Sequence, residues 1–175
     1  MPTTNPLPPI YNENSKILIL GSMPSVKSRE AGFYYMHPQN RFWKVLGIIF
    51  ECDIPQSAEG RRQFLLDTGI ALSDVVSSCN IEGSSDSSIE TVKARNPIEI
   101  IENSYVKKIF LNGRTAEALF KKHLKEKIDL PTVYLPSTSP ANAGWSLERL
   151  CTAWGVVGEA LEKGTNFDRQ GDNFD

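Results

Sequence analysis

Four short runs rich in branched aliphatic residues, at residues 16–20, 70–76, 108–111 and 132–135, alternate along this chain with stretches of helical periodicity. That alternation leaves few architectures open. Parallel strands need crossover connections of a dozen or more residues, usually helical, and the helices then cover both faces of the sheet. The pattern predicts an α/β fold, a three-layer α/β/α sandwich on a short four-stranded parallel sheet. Helix punctuation agrees. Thr68-Gly69 offers a stop for a helix over residues 58–67. Residues 42–50 are apolar nearly all round, as a buried helix should be. Asn96-Pro97 supplies an N-cap followed by proline at the first helical position, with Glu99 three residues beyond the cap. Residues 115–125 place Ala116, Leu119, Phe120 and His123 on one stripe. After the cap candidate Ser146, Leu147, Leu150, Trp154, Val157 and Leu161 recur at helical spacing.

At 175 residues the chain has the size of one domain. A single domain is expected over residues 1–163, with the polar segment 164–175 a flexible tail; the Pro-rich residues 1–9 also read as a tail. No apolar run approaches the roughly 20 residues that span a bilayer. Residues 1–9 have neither a basic n-region nor an apolar h-region, so no signal peptide is expected. Cys52, Cys79 and Cys151 form no CxxC pair, which argues against structural zinc or a four-cysteine iron–sulfur cluster. Reduced thiols in a cytoplasmic chain, each a small core residue rather than a nucleophile, are the simpler expectation. The formal charge of −2 argues against holding nucleic acid by bulk charge alone. Basic residues nevertheless gather locally. Lys27, Arg29, Arg41 and Lys44 form one group; Lys121, Lys122, Lys125 and Lys127 form another that reads equally well as a solvated face. With no Walker motif, GxGxxG, GxSxG elbow or HExxH spacing, neither a cofactor nor a metal is expected.

The first, third and fourth runs end in small or polar residues: Gly21-Ser22, Asn112-Gly113 and, after Pro136, Ser137-Thr138-Ser139. Open α/β sheets bind ligands at that edge. Gly21-Ser22-Met23-Pro24-Ser25 is followed about ten residues later by Tyr34-Tyr35-Met36-His37-Pro38-Gln39-Asn40-Arg41-Phe42-Trp43. Aromatic faces stack on bases, and amides read base edges or hold a water, so the two blocks together suggest a nucleobase pocket. Tyr35 is the candidate stacking face, with core packing as the alternative; in an extended segment Tyr34 and Tyr35 would point to opposite sides. Asn40 can hold a water, cap the helix that follows, or do both. His37, before Pro38, can donate to a phosphate or to charge developing on a leaving base, or serve as a hydrogen-bonded structural residue. Asn112 offers a further amide near the strand edge. The hydroxyl-rich loop over residues 135–143 can contact phosphates or be an ordinary turn. Asp86, the only charge in loop 83–88, can orient a water, although a turn or cap role competes.

In combination, the Gly21–Ser25 block and the Tyr34–Trp43 block resemble the uracil-DNA glycosylase superfamily, and above all its hypoxanthine-DNA (deoxyinosine) glycosylase branch. The likeness runs from about residue 16 to residue 160. Ser137-Thr138-Ser139-Pro140 stands where that superfamily keeps its second, DNA-engaging motif, and Asn112-Gly113-Arg114-Thr115-Ala116 looks like its strand-to-helix junction. Met23 stands where the mismatch-specific uracil glycosylases carry an Asn or Asp that serves the hydrolytic water; a thioether cannot orient or activate water. The hypoxanthine branch lacks that polar residue too and relies on the Asn of its HPxN segment, which here is Asn40. The resemblance implies a monomeric, cofactor-free, monofunctional glycosylase of base excision repair. Its partner would be double-stranded DNA carrying a deaminated base, hypoxanthine first and uracil in a mismatch second. It further implies Asn40 and His37 as catalytic residues, Tyr35, Ser22, Met23 and Asn112 as base-binding residues, and Ser137, Thr138, Ser139, Lys27 and Arg41 as DNA-binding residues. From another class, a module that binds a nucleotide or damaged DNA without cutting it is the alternative.

Overall fold

The computed structural model describes residues 2–80 and 90–172. In chain order the elements are β1 (Thr3–Thr4), β2 (Ile17–Gly21), α1 (Val26–Ala31), α2 (Phe42–Ile49), α3 (Ala58–Thr68), β3 (Ile70–Asp74) and β4 (Val76–Asn80). They continue with β5 (Glu90–Ala94), α4 (Ile98–Glu102), β6 (Ile109–Asn112), α5 (Arg114–His123), a 3₁₀ turn (Lys125–Lys127), β7 (Thr132–Leu135) and α6 (Leu147–Asp172).

The expected sheet is present: four strands in the order β3-β2-β6-β7, with every neighbouring pair parallel. Its strands are apolar on both sides because both sides are covered. Ile17 and Ile19 pack into one core with Phe42, Val45 and Leu46 of α2, Leu65 of α3, and Leu150, Trp154 and Val157 of α6. Leu18 and Leu20, one residue out of phase, pack into a second core with Ile100 of α4 and Phe120 of α5. The period-two alternation of a strand therefore yields the three layers. Deleting a side chain as deeply set as Trp154 costs about 3–5 kcal/mol at such sites. Two helix ends follow the sequence signals, Gly69 closing α3 at φ 89° and the Ser146 hydroxyl accepting from the Arg149 N–H, while Ser57 caps the start of α3.

Several expectations need correction. The run at 70–76 is two strands, because the chain leaves the parallel sheet after Asp74. From Val76 it enters a second, antiparallel sheet in the order β1-β4-β5, whose short polar strands carry little apolar periodicity. Residues 1–9 are not a loose tail as a whole. Thr3 and Thr4 pair with β4, Leu7 is buried in the core, and the Asn5 amide is buried against Asp74. Helix α6 runs to Asp172, past Gly164, where a tail was expected to begin. Helix α2 is not apolar on every side to a purpose: Ile48 is exposed. Of the cysteines only Cys79 is buried, and Cys52 is exposed.

Because β2 connects toward β3 on one side and β6 toward β7 on the other, the sheet has a topological switch point between β2 and β6. A crevice opens at the carboxyl ends of the strands at such a point. Gly21 and Asn112 flank it.

Candidate active site

A cavity of about 360 Å³ lies at this carboxyl edge, bounded by the loops after β2, β3, β6 and β7. Of the sequence-selected residues, Ser22, Met23, Tyr35, His37, Asn40, Asn112, Ser137, Thr138 and Ser139 all line it. Lys27 and Arg41 do not. Lys27 is exposed on α1, and Arg41 is directed elsewhere.

The block after β2 is built as a turn into a helix. Ser25 caps α1 by accepting from the Ser28 N–H at 3.1 Å. The Ser28 hydroxyl accepts from the Met36 N–H at 3.0 Å, tying this helix to the second block. Met23 stands on the wall between them and presents only a thioether.

The second block is not extended at its start. Tyr35 adopts φ 54°, a left-handed conformation uncommon for a residue with a side chain. The two tyrosines are therefore separated by a turn rather than by strand alternation. Tyr34 goes inward and its hydroxyl donates to the Leu7 and Pro8 carbonyls, at 3.3 and 3.0 Å. Burial, reinforced by the Asp74 charge, pushes the Tyr34 phenol well above its ordinary range. Tyr35 stacks on Phe42, ring centroids 4.1 Å apart and planes 19° from parallel, so one of its faces is already covered.

His37 and Asn40 form a tight turn, with the Asn40 N–H donating to the His37 carbonyl at 3.0 Å. The His37 Nδ1 accepts from the Gln39 N–H at 3.1 Å, and this hydrogen-bond network assigns the proton of the neutral ring to Nε2. Asn40 caps α2 from one residue outside it: Oδ1 accepts from the Phe42 N–H at 3.0 Å. The amide orientation is set by that bond, because only the oxygen can accept. The Asn40 Nδ2 donors are what this rigid amide retains for a cavity ligand.

The loop after β7 behaves differently. Asn112 and Thr138 form a closed pair, Nδ2 donating to Thr138 Oγ1 and Oδ1 accepting from the Thr138 N–H, both at 3.2 Å. Thr138 is fully buried and supports the loop. Ser137 and Ser139 use their hydroxyls to accept backbone N–H groups two residues on, at 3.1 and 3.2 Å. Arg41 clamps the same loop: its guanidinium donates to the Trp145 and Asn142 carbonyls and its N–H to the Thr138 carbonyl. Thr138 and Arg41 are thus both held by groups of the protein itself.

Asp74 also lines the cavity, and sequence reasoning passed over it. It ends β3 in register with Gly21 and is only 3% exposed. Its Oδ2 accepts from the buried Asn5 Nδ2 at 3.0 Å. The available signal was a carboxylate at the end of an otherwise apolar strand. Asp86 lies outside the described residues. Among the described residues no cluster of His, Cys, Asp and Glu could hold a metal, and no helix is long and apolar enough to cross a membrane. The second lysine group sits on α5 and the following turn, with Lys121 3.8 Å from Glu117.

The family model described as the uracil DNA glycosylase superfamily matches residues 8–157. A hypoxanthine DNA glycosylase of Methanosarcina acetivorans is 33% identical over 144 residues, spanning 81% of this chain and 90% of that protein. One from Methanosarcina barkeri is 34% identical over 110 residues, 61% of this chain and 69% of that protein. A solution NMR structure of a Methanosarcina acetivorans protein, described provisionally as a uracil DNA glycosylase, superposes with a TM-score of 0.78 at 32% identity. It covers 93% of this chain and 99% of that one.

Proposed function

This chain belongs to the uracil DNA glycosylase superfamily, and we propose that within it the base released is hypoxanthine, hydrolysed from deoxyinosine in double-stranded DNA during base excision repair. The observation that carries this reading is the fixed Asn40 amide on a wall whose other motif position is Met23. The two curated relatives above, both named hypoxanthine DNA glycosylases, support the same choice.

The lesion base leaves the stack at a cost of a few kcal/mol, least for a mispaired base. As the C1′–N9 bond lengthens, the sugar becomes oxocarbenium-like and the bonding pair moves onto the base. The Asn40 Nδ2 donates to a water oxygen and presents that water to C1′. An amide cannot take the water's proton, and a sugar already cationic needs placement of the nucleophile more than deprotonation. The His37 Nε2–H is a donor for the charge gathering on the base or for a phosphate. Water oxygen bonds to C1′, the base departs with the electron pair, and proton transfer leaves neutral base and an abasic sugar. No enzyme nucleophile is required.

The experiment is base release from duplexes carrying inosine, xanthosine, uracil or no lesion, developed with alkali at matched enzyme and salt. Salt is held fixed because phosphate contacts make affinity steeply dependent on ionic strength. Inosine is expected to be cut fastest. Efficient uracil release with inosine untouched overturns the assignment, and cleavage of none of the lesions favours a binding module.

A further inference from the structure

We propose that the lysines at the amino end of the parallel sheet hold the phosphate backbone of a second duplex, while the cavity at the carboxyl edge holds the first. This rests on DNA as the substrate class, whatever base the cavity releases. Two separate stretches supply the charge. Lys107 and Lys108 lead into β6, and Lys121, Lys122, Lys125 and Lys127 occupy the end of α5 and the 3₁₀ turn. Residues 107–108 and 121–127 together carry six lysines and one glutamate, in a chain of formal charge −2. The fold joins the two stretches. β6 runs up to the cavity at Asn112, and α5 returns beside it, so that Phe120, Leu124 and Ile128 share a core with Val106 and Ile109. The Ile109 N–H donates to the Pro131 carbonyl at 3.0 Å, closing the same end.

Fold stability does not account for the group. Lysines in a last helical turn offset the helix dipole, which covers Lys121 and Lys122. Lys107, Lys108, Lys125 and Lys127 lie outside α5. Lys121 stands 3.8 Å from Glu117 with its side chain 59% exposed, and an exposed pair of that kind contributes little. Lys107, Lys122, Lys125 and Lys127 are exposed as well, and Lys108 is half-buried over the Phe110 ring. Like charges gathered on one surface repel, so their clustering does not stabilise the compact state.

The chemistry of the surface selects the partner. Protein interfaces have an apolar, aromatic centre and are depleted in lysine. Among the described residues neither α5 nor the turn exposes a large apolar side chain, and Tyr105 is the exposed ring that borders the group. Lysines without an apolar centre fit a phosphate backbone, which is held through charge and without reading bases. With ten residues, α5 carries its lysines about 15 Å from the cavity edge, to the opposite end of the sheet. One duplex could reach both ends only by bending sharply against its own stiffness. A second duplex need not bend. A protein holding two segments passes between them without release into solution, which suits a search for rare lesions in undamaged DNA.

The test uses the intact chain and two short duplexes with different fluorophores, one carrying uncleavable 2′-fluorinated deoxyinosine and one undamaged. With DNA in excess at low salt, energy transfer between the duplexes reports their meeting on one protein. Wild-type protein is expected to give transfer. The combined variant Lys121→Gln, Lys122→Gln, Lys125→Gln and Lys127→Gln should lose it, with lesion-duplex affinity and melting temperature unchanged. Each lysine that neutralises a phosphate adds about 0.9 to the slope of log affinity against log salt, so the slope for the second duplex should fall by about three to four. Lys125→Gln with Lys127→Gln, outside α5, decides the matter with half that change if the fourfold variant does not fold. Absence of transfer in the wild type overturns the proposal. Transfer that survives in the folded variants overturns it too, and assigns the meeting to the cavities of two associated copies. A polyglutamate that displaces the second duplex better than unlabelled DNA of equal charge overturns it in favour of an acidic protein partner. Base release from ordinary deoxyinosine is measured alongside. Release without transfer leaves the glycosylase reading intact and removes the second surface. Lysine-dependent transfer without release from any lesion does the reverse.

Discussion

The loop that follows α1 and the loop that follows β7 share features as sequence: both carry proline beside polar residues, and both line the cavity at one sheet edge. Their polar groups go to opposite uses. Between Tyr34 and Arg41, one backbone pair closes a tight turn, Ser28 and His37 take the Met36 and Gln39 N–H groups, and the Asn40 amide needs only its oxygen for α2. Between Pro136 and Trp145, the side chains do the satisfying. The side chains of Ser137, Ser139 and Arg41 each bond a main-chain group of that loop, and the Asn112 amide bonds both the N–H and the hydroxyl of Thr138. A hydroxyl-rich segment is thus a ligand surface only where its own backbone has found partners elsewhere, because an unmade buried hydrogen bond costs about 1–3 kcal/mol.

Asn40→Ala is the strongest way to break this contrast. If the first loop supplies chemistry, single-turnover base release should fall about 10²–10³-fold, the loss typical of a single transition-state donor. Loss of the cap should cost only about 1 kcal/mol, which a melting curve on the same preparation reads. A stability loss of that size with normal turnover would reduce Asn40 to a cap.

Thr138→Val probes the other side. The substitution keeps shape but leaves the buried Asn112 Nδ2 without its acceptor, so chemical denaturation should show a loss of about 1–3 kcal/mol. The chemical step at saturating lesion DNA should change far less than in Asn40→Ala. A drop in base release matching that of Asn40→Ala, with stability unchanged, would move Thr138 from scaffold to catalysis.

The parallel sheet, its two covering layers and the capped helices were legible because period-two and helical patterns record burial directly. Gly69 and Ser146 act where their residue types suggest. The second sheet was not legible: Thr3–Thr4 and Val76–Asn80 carry too few apolar residues to announce burial, and their pairing joins residues over seventy positions apart. Asp74 was hidden for a related reason. Its place at the cavity follows from standing beside Gly21 across a strand pair, with Asn5 reaching it from the far end of the chain. Tyr35 was located, but its orientation depended on one left-handed residue that the sequence does not mark.

Tyr34, adjacent to Tyr35 yet turned inward, gives a pH-dependent contrast of intermediate size. Its phenol is raised above the ordinary range in the fold, by burial first and by the Asp74 charge second. The unfolded chain therefore loses its proton first as pH rises. The stabilisation is complete below the unfolded value near 10 and is lost progressively above it, at up to about 1.4 kcal/mol per pH unit. Tyr34→Phe should flatten the alkaline limb of a stability-versus-pH curve while lowering stability at neutral pH through loss of the bonds to Leu7 and Pro8. An unchanged alkaline limb would place the titration elsewhere.

The smallest effect separates Lys27 and Arg41, the two basic residues that the family resemblance offers to DNA. Lys27 is exposed on α1, whereas the Arg41 guanidinium is occupied by the Asn142 and Trp145 carbonyls. A lysine that neutralises one phosphate contributes about 0.9 to the slope of log affinity against log salt. Lys27→Ala should therefore weaken lesion-duplex binding modestly and reduce that slope by about one, with the melting temperature unchanged. Arg41→Ala should do the opposite. It releases the 136–145 loop and lowers the melting temperature, while the salt slope stays put because no phosphate contact is removed. Measuring both slopes on one duplex settles which residue faces DNA. A flattened slope for Arg41→Ala would mean that the clamp opens on binding, and that the second loop, too, hands a charged group to its ligand.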